Sequence, residues 1–442
     1  MPENLKTSNR VAARGLVERQ ESGEFLTVTG TNASPFSYYP KMAELSSGFN
    51  GRILSLDLLE AALDSLEISV RLDMIRNSLE IIGLPSCYSR GAATSLLPSF
   101  LVDQLLCLGV KRVTKTRVED LIELIADAHR FNPFKEYLTA TTWDGKDRLS
   151  ELFKILGVEK ERHRLYIQHW CLQVVALGLN DELQPIGADG VLVLQGSQGI
   201  GKTSVARVLC PRREWFVEGA VLDVRNKDSV MNATSGLITE IGELDDSLKK
   251  DQAALKSFLT APVDRIRPPY GETIIETLRS TSFIATVNPS NFLRDDMGSR
   301  RFWVVPVEHI NLDTLFSLSP MWIQQFWRQV YDLWKLNPGG FRLTAAERAT
   351  LERENVVFKE AIPFEEEIRE MLDFDLPSTR WEWWKATDFK QDLQQFDSPK
   401  VGRALMRINN DLFQGGQGGA KATKTVHGIK QYLLPRLHNC RF

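Results

Sequence analysis

The stretch QGSQGIGKT at residues 195–203 directly follows the apolar run VLVL at 191–194, and no other feature constrains the fold as strongly. The spacing G-x-x-x-x-G-K-T, between a buried strand and a helix, is that of a phosphate-binding loop. A chance glycine turn is the alternative. It is disfavoured because TSVARVL, which overlaps the end of the loop, has the helix propensity that the motif requires. The sequence therefore predicts an α/β core that binds a nucleotide.

The predicted phosphate-binding residues lie in this loop and in the first turn of the helix that follows. They are Gly196, Gly199, Ile200, Gly201, Lys202, Thr203 and Ser204. Glycines let backbone N–H groups close on phosphate oxygens, and Lys202 would neutralise the β and γ phosphates. The hydroxyl of Thr203 would bind Mg²⁺. ATP and Mg²⁺ are the expected cofactors.

Two later apolar runs end in polar groups that suit nucleotide hydrolysis. In GLITEIGELDD, Glu240 and Glu243 are candidates for the acid that faces the metal and for the group that orients water, and these two roles can be exchanged. Asp245 and Asp246 are assigned to the solvated surface. In SFIATVN, the amide of Asn288 would contact the γ-phosphate and the water, unless it only ends a strand before proline.

Adjacent arginines occur in GSRRFW, ahead of an aromatic strand. A guanidinium of Arg300 or Arg301, inserted into a neighbouring subunit's site, would stabilise charge on the transferred phosphoryl group. A structural ion pair is the alternative for either residue.

Composition and pattern divide the 442 residues into five parts. A polar N-terminal segment indicates a tail. Apolar residues that recur every three or four positions then indicate a helical domain, and alternating strand-like and helix-like runs indicate a parallel sheet flanked by helices. A charged connecting helix and a net-positive segment follow. The predicted boundaries are 1–36 for the tail, 37–130 for the N-terminal helical domain, 131–340 for the ATPase domain, 341–379 for the connector and 380–442 for a winged-helix domain.

Charge and cysteine usage limit the possible partners and compartment. The net charge is −3, so contact with nucleic acid must come from a local basic patch. The five cysteines form no C-x-x-C pair, and the apolar runs are too short to span a bilayer. We therefore expect a cytoplasmic protein without membrane contact.

The winged-helix prediction rests on two short helices followed by a hairpin. Thr387 would cap the first helix and Ser398 the second, with Pro399 at its first position, and a hairpin would bend at His427–Gly428. Cations spaced three and four residues apart on the second helix would then bind duplex DNA. The alternative is that they form only a solvated face of that helix. These cations are Lys400, Arg403 and Arg407.

The motif series NPFKEYL, WDGKDRL, LQGSQGIGKTS, TEIGELDD, LKSFLT, DRIRPPYG and TVNPSNFLRDDMGSRRFW resembles the virulence-associated protein E family of phages, phage satellites and genomic islands. The resemblance covers about 131–340. That family is similar to superfamily 3, poxvirus-type AAA+ helicases, which implies a homo-oligomeric, hexameric ring ATPase moving on single-stranded DNA. Lys202, Thr203, Glu240 or Glu243, and Asn288 would form the ATP site, with Arg300 or Arg301 entering from the next subunit.

The resemblance also implies a β-hairpin near 263–281 that projects into the ring channel. Cations and one aromatic there suit a phosphate backbone and a stacked base. A solvated hairpin whose arginines pair with Glu272 and Glu276 is the alternative. The candidate DNA-binding residues are Lys256, Arg265, Arg267, Tyr270 and Arg279.

Relatives often carry a primase domain ahead of the ATPase, but the first 130 residues offer no zinc-binding cysteines and no set of catalytic acids. A separate primase or polymerase is therefore an expected partner. The tryptophans of WEWW at 381–384 and the aromatics of WIQQFWRQVYDLW are interpreted as core packing.

The leading functional hypothesis is a DNA-stimulated ATPase and replicative helicase of a mobile element. The alternative is an ATP-gated DNA-binding initiator or helicase recruiter that does not unwind processively. A defence ATPase that senses invading nucleic acid is a third hypothesis, because the motifs indicate nucleotide hydrolysis but not the process that it drives.

Overall fold

The computed structural model describes residues 48–85, 88–242, 244, 252–266, 275–288, 292–293, 299–359, 362–414 and 423–435. The chain divides into two compact units, Met1–Phe131 and Asn132–Phe442. None of the helices in the described ranges combines the length and apolar character needed to cross a membrane.

The first unit combines helices with a small sheet. Strands β1 and β2 pair antiparallel and β1 and β3 pair parallel, giving the order β2-β1-β3. The elements in chain order are α1 (Leu56–Ser65), β1 (Ser69–Asp73), β2 (Ser78–Ile82), α2 (Ala93–Cys107), α3 (Lys115–Ala128) and β3 (Arg130–Phe131). The three helices bury an aliphatic core that includes Leu59, Leu97, Leu101 and Val118.

The prediction of a helical domain for this unit is wrong over residues 69–82, which form a hairpin. The carboxylate of Asp73 accepts hydrogen bonds from the backbone N–H of Ile75 (2.8 Å) and Arg76 (3.1 Å). Asn77 supplies a left-handed residue, with φ of 48°. These local contacts favour a turn over a helix, and the flanking segments SVRLD and SLEII then extend and pair.

The second unit contains a five-stranded, all-parallel sheet of order β10-β4-β9-β6-β5. This confirms the predicted α/β core. Its elements are α4 (Pro133–Thr139), α5 (Arg148–Ile155), α6 (Glu161–Gly178), β4 (Val191–Gln195), α7 (Lys202–Leu209), β5 (Phe216–Ala220), α8 (Lys227–Ala233), β6 (Ile238–Ile241), α9 (Gln252–Leu259), β7 (Val263–Ile266), β8 (Ile275–Leu278), β9 (Ser282–Val287), β10 (Phe302–Pro306), α10 (Leu312–Phe316), α11 (Pro320–Leu336) and α12 (Ala345–Glu354).

Helices cover both faces of this sheet, as expected because β4, β9 and β10 are mostly apolar and buried. On one face, Val191, Phe283 and Ala285 pack with Leu255 and Leu259 of α9. The other face packs against α6 and α7.

The buried side chain of Gln173 ties α6 to the start of the sheet. Its amide donates to the carbonyl of Gly190 (2.9 Å) and to the hydroxyl of Ser282 (3.0 Å). Its carbonyl accepts from the backbone N–H of Asp189 (2.8 Å) and Gly190. One side chain thereby satisfies polar groups at the amino ends of two neighbouring strands.

The last part of the second unit forms a separate packing group. It consists of α13 (Glu365–Glu370), β11 (Glu382–Lys385), α14 (Ser398–Gln414), β12 (Thr423–Val426) and β13 (Ile429–Leu434), with an antiparallel sheet of order β11-β13-β12. Its core takes in Ile368, Met371 and Leu372, which lie in the segment predicted as the connector. We call this group, residues 362–435, the C-terminal group.

Local sequence signals predict the elements of the C-terminal group only in part. The hairpin at His427–Gly428 is confirmed, since both residues have positive φ and β12 pairs with β13 around them. The helix expected after Thr387 is only a 3-10 turn over Ala386–Phe389. At the start of α14, Asp397 rather than Ser398 accepts from the N–H of Lys400, because its carboxylate precedes the first turn.

We predict that Gln173→Met lowers the free energy of unfolding by about 2–3 kcal/mol, because it leaves buried backbone and hydroxyl groups without partners. Chemical denaturation measures the change. The matched change Gln184→Met, at an exposed position, should alter stability by less than about 0.5 kcal/mol. Equal effects of the two changes would contradict the anchoring role of Gln173.

Candidate active site

The glycine-rich loop leaves the carboxyl end of β4 and lies between the ends of β9 and β10. The N–H of Gly196 donates to the carbonyl of Val287 (3.1 Å). A Cβ on Gly196 would lie 2.1 Å from the carbonyl oxygen of Val307, and Gly201 has φ of 95°. Only glycine meets both requirements, close backbone approach and left-handed conformation. The loop is therefore held against the sheet by its backbone.

The ammonium of Lys202 connects the loop to the end of β9. Its Nζ donates to the carbonyls of Gly196 and Ser197, both at 2.7 Å, and to Oδ1 of Asn288 at 2.8 Å. The side chain is 6 % exposed, and this burial lowers the pKa of Lys202 from its ordinary value. The structure thus brings together the lysine and the amide that the sequence placed 86 residues apart.

Glu240 lies on β6 and is 3 % exposed. Its Oε1 accepts from the hydroxyls of Thr203 (2.6 Å) and Thr286 (2.9 Å), and its Oε2 accepts from the N–H of Gly219 (3.2 Å). Three donors therefore stabilise and orient the carboxylate beside the first turn of α7. Glu243 lies outside the described residues, so the division of roles between the two glutamates stays a prediction.

Thr286 and Gly219 contact Glu240 and were missed in the sequence. Thr286 carried a usable signal, because it is a polar residue inside the apolar strand SFIATV and lies two residues before Asn288. Period-two alternation puts these two residues on the same face. Gly219 contributes only a backbone N–H, and the sequence gives no sign of that contact.

The donor set around Thr203 suits a magnesium ion. It offers a hydroxyl and a carboxylate, and Mg²⁺ is commonly held by one or two protein oxygens plus phosphates and waters. Among the described residues, no cluster of three or more His, Cys, Asp or Glu side chains is suited to a metal ion.

Arg300 and Arg301 lie at the opposite edge of the sheet from the loop. The register Phe302↔Val191 and Pro306↔Gln195 puts the start of β10 level with the start of β4. One five-residue strand, about 16 Å, separates that edge from the loop. An arginine there cannot reach the glycine-rich loop of the same chain.

The surroundings of Arg301 are partly buried and charged. Burial, and secondarily the neighbouring charge of Arg300, lowers the pKa of Arg301, whereas the negative charge of Asp189 raises it. Asp189 is itself held by Arg348, whose guanidinium donates to it at 2.7 Å. Arg300 is exposed.

The predicted hairpin near 263–281 is present as the antiparallel pair β7 and β8. Arg265 is exposed and pairs with Glu276 across the two strands at 2.8 Å. Its pairing matches the solvated alternative, although an exposed pair of this kind is weak enough to exchange. Arg267 and Tyr270 lie outside the described residues.

The assignment of Arg279 to DNA binding is wrong. Its side chain is 1 % exposed and forms a two-pronged ion pair with Asp264, with Nε to Oδ2 at 2.6 Å. The guanidinium also donates to the carbonyl of Phe258 and lies over that ring. These contacts fix the base of the hairpin, so they leave no donor face for a phosphate backbone.

Lys256 is also misassigned, because it is 9 % exposed on α9. Burial, and secondarily the charge of Arg301, lowers the pKa of Lys256. A side chain in this position does not present its ammonium to DNA.

The three cations predicted on α14 do not share one exposed face. Arg403 is exposed. Lys400 pairs with Asp397 at 3.1 Å, and the largely buried Arg407 pairs with Glu365 of α13 at 3.4 Å. The prediction for Arg407 is therefore wrong, since its charge holds two helices together.

Core packing is confirmed for Phe326 and Trp327, both 0 % exposed. It is wrong for Trp383, which is 38 % exposed on β11. The ammonium of Lys424 lies over its ring, 4.3 Å from the centroid. The C-terminal group thus presents an aromatic ring and a cation side by side.

The fold and the site define an α/β domain with a glycine-rich loop at the carboxyl edge of a parallel sheet. The chain belongs to the family of virulence-associated protein E-like domains, whose model matches residues 138–360. This confirms the resemblance seen in the motifs.

Two solved structures are similar to this chain at a low TM-score. The apo C-terminal region of NrS-1, residues 305–718, has a TM-score of 0.45 and 11% identity, over 86% of this chain and 98% of that chain. An A form of that apo region has a TM-score of 0.43 and 12% identity, over 85% and 98%. No curated protein matches the chain.

We predict that Arg279→Met destabilises the protein by about 3–5 kcal/mol, because it leaves the Asp264 carboxylate buried without a countercharge. Adding Asp264→Leu should recover most of the loss. Chemical denaturation of the single and double variants measures both effects. Arg265→Met, which breaks an exposed pair, is the control and should cost less than about 1 kcal/mol. An Arg279→Met variant as stable as this control would contradict the structural assignment.

Proposed function

We propose that this protein is an ATPase that hydrolyses ATP at subunit interfaces and uses the energy to move on and unwind DNA during replication of a mobile element. The single observation that carries the proposal is the convergence of Lys202, Asn288 and the Thr203–Glu240 pair at one edge of the sheet. These are the group types that bind, position and activate a nucleoside triphosphate.

The chain's own groups suggest how ATP would be held. The carbonyls of Gly196 and Ser197 and the amide of Asn288 hold the Lys202 ammonium beside the loop. Phosphate oxygens would compete for that ammonium, while the backbone N–H groups of the loop and of the first turn of α7 point to the same anion. Mg²⁺, held by Thr203 and Glu240, would supply positive charge to the phosphates.

Hydrolysis also needs a positioned water. Asn288 can hydrogen-bond a water near the γ-phosphate, and one glutamate can accept its proton. Glu240 already accepts three hydrogen bonds from the protein, which suits a fixed metal-facing carboxylate more than a proton acceptor. We therefore assign the metal side to Glu240 and the water to Glu243.

The arginine that completes the site would come from a neighbour. Arg300 and Arg301 lie one strand length from their own loop, so only a neighbouring copy can place one of them at the phosphates. This arrangement supports a ring of subunits, with the hexamer implied by the family resemblance.

DNA contacts are proposed at two places. The hairpin of β7 and β8 presents the exposed side chain of Arg265. In the C-terminal group, α13, β11, a 3-10 turn, α14 and the β12–β13 hairpin follow one another. We interpret this order as a winged helix that docks duplex DNA through Arg403 and the exposed Trp383–Lys424 pair.

An ATP-gated DNA-binding initiator is the second candidate. It is favoured by the burial of Arg279 and Lys256, which leaves Arg265 as the exposed cation among the described hairpin candidates. In that case the C-terminal group would carry most DNA affinity, and hydrolysis would act as a switch.

We predict that Lys202→Ala and Arg301→Ala each abolish DNA-stimulated ATP turnover, by about 10³-fold for the arginine. Mixing the two inactive variants should restore turnover, because an intact Lys202 and an intact Arg301 meet at some interfaces. Phosphate release with and without single-stranded DNA measures the effect. Arg300→Ala, measured alone and in the same mixture, shows which arginine acts.

The mixing result separates the two functions. Failure to restore turnover with either arginine variant, although the subunits still assemble by mass, would exclude hydrolysis across an interface. Turnover that is indifferent to DNA would support the initiator over the motor.

We predict that Arg403→Glu weakens binding of duplex DNA by about tenfold, because it replaces a phosphate contact by a repulsion. Fluorescence anisotropy with a labelled duplex measures the affinity. Arg353→Glu, an equal charge change at another exposed position of the second unit, is the control. Equal losses in both variants would show only a general charge effect.

A further inference from the structure

Five of the nine Lys and Arg residues in the described part of the first unit lie in two segments. Residues 48–56 and 104–118 contain no Asp or Glu. They hold Arg52, Lys111, Arg112, Lys115 and Arg117. We call these five side chains the loop patch.

Backbone pairing brings the two segments together. The N–H of Gly51 donates to the carbonyl of Gly109 (2.9 Å), and the N–H of Lys111 donates to the carbonyl of Arg52 (2.7 Å). Ile53 and Lys111 form a parallel bridge. Arg52, which precedes Lys111 by 59 positions, therefore lies beside the cations of residues 111–117.

The patch is exposed and poorly neutralised. All five side chains are exposed, and Lys115 alone among them takes part in an ion pair with a described residue, Glu119 at 3.5 Å. Elsewhere in the unit, Arg71 pairs with Glu80 and Arg130 with Asp127. The remaining four cations of the patch thus produce a local positive field in a chain whose net charge is −3.

Local folding rules do not account for the positions of these cations. Arg112 has φ of 57°, a conformation that costs a non-glycine residue free energy. The first turn of α3 contains no acidic residue and carries Lys115 and Arg117, although the helix dipole disfavours positive charge at that end. Repulsion among neighbouring cations adds to both costs, and a polyanion would relieve it.

We infer that the loop patch binds the phosphate backbone of DNA, giving the N-terminal unit a nucleic-acid contact of its own. The inference rests on the proposed function only in taking DNA as the polyanion. Closely spaced lysines and arginines on an exposed surface match the regular charge of a phosphate backbone. Such contacts position DNA without reading its sequence.

The contact predicts a specific salt dependence. Affinity falls as salt rises, and each phosphate neutralised makes the slope of log affinity against log salt more negative by about 0.9 for duplex DNA and about 0.7 for single strands. Removing two patch cations should therefore reduce the steepness of this slope by about 1.8 for duplex DNA, or by about 1.4 for a single strand, depending on which form is bound.

The test uses the full-length protein without nucleotide, so its outcome does not depend on ATP hydrolysis. Binding of a labelled single strand and of a labelled duplex is measured by anisotropy from low to high salt. The variants are Lys111→Gln/Arg117→Gln and, separately, Arg112→Gly. The control, Arg76→Gln/Arg130→Gln, removes two other cations of the same unit.

We expect the patch double variant to bind about tenfold more weakly at low salt, with the reduced slope, while the control keeps the wild-type slope. Arg112→Gly should weaken binding without lowering Tm, because glycine tolerates the left-handed conformation. Equal slopes in patch and control variants would overturn the inference. Lys202→Ala should lose ATP turnover but keep the wild-type salt dependence of DNA binding. The proposed ATPase and the inference about the patch are therefore tested independently.

Discussion

The hydrogen bond from Thr203 to Glu240 joins the helix after the glycine-rich loop to the neighbouring strand β6, and the proposed chemistry depends on it. A carboxylate is buried at this point only because three donors satisfy its oxygens. The all-parallel order of the sheet makes this possible, since every strand ends at the same edge. Lys202 and Asn288 meet at that edge for the same reason.

The sheet also separates the groups that one complete site would need. The loop and Glu240 lie toward the carboxyl edge, whereas Arg301 lies at the amino edge beside Asp189. A single copy therefore cannot supply both sets of groups to one nucleotide. Because the separation is built into the strand register, the proposed dependence of hydrolysis on a neighbour follows from the fold itself.

The loop, Glu240 and Asn288 could be predicted from the sequence because each follows or ends an apolar run, and parallel strands align such ends. Burial could not be read in this way. Arg279 and Arg265 look alike in sequence, yet one pairs with Asp264 in the interior and the other with Glu276 at the surface. The hairpin at residues 69–82 was missed because its apolar spacing also fits a helix, and the Asp73 turn decides between them. The polar Thr286 within the apolar strand SFIATV signals a role, but its partner Glu240 lies on another strand and could not be read from the sequence.

The central claim is that the edge formed by Lys202, Thr203, Glu240 and Asn288 binds ATP together with Mg²⁺. Calorimetric titration of ATP into the protein, with and without Mg²⁺, tests it most directly. The account predicts binding that Mg²⁺ strengthens in the wild-type protein, with this strengthening lost in Thr203→Val while weaker, metal-independent binding remains. No binding by the wild-type protein, or equal strengthening by Mg²⁺ in both proteins, would contradict it.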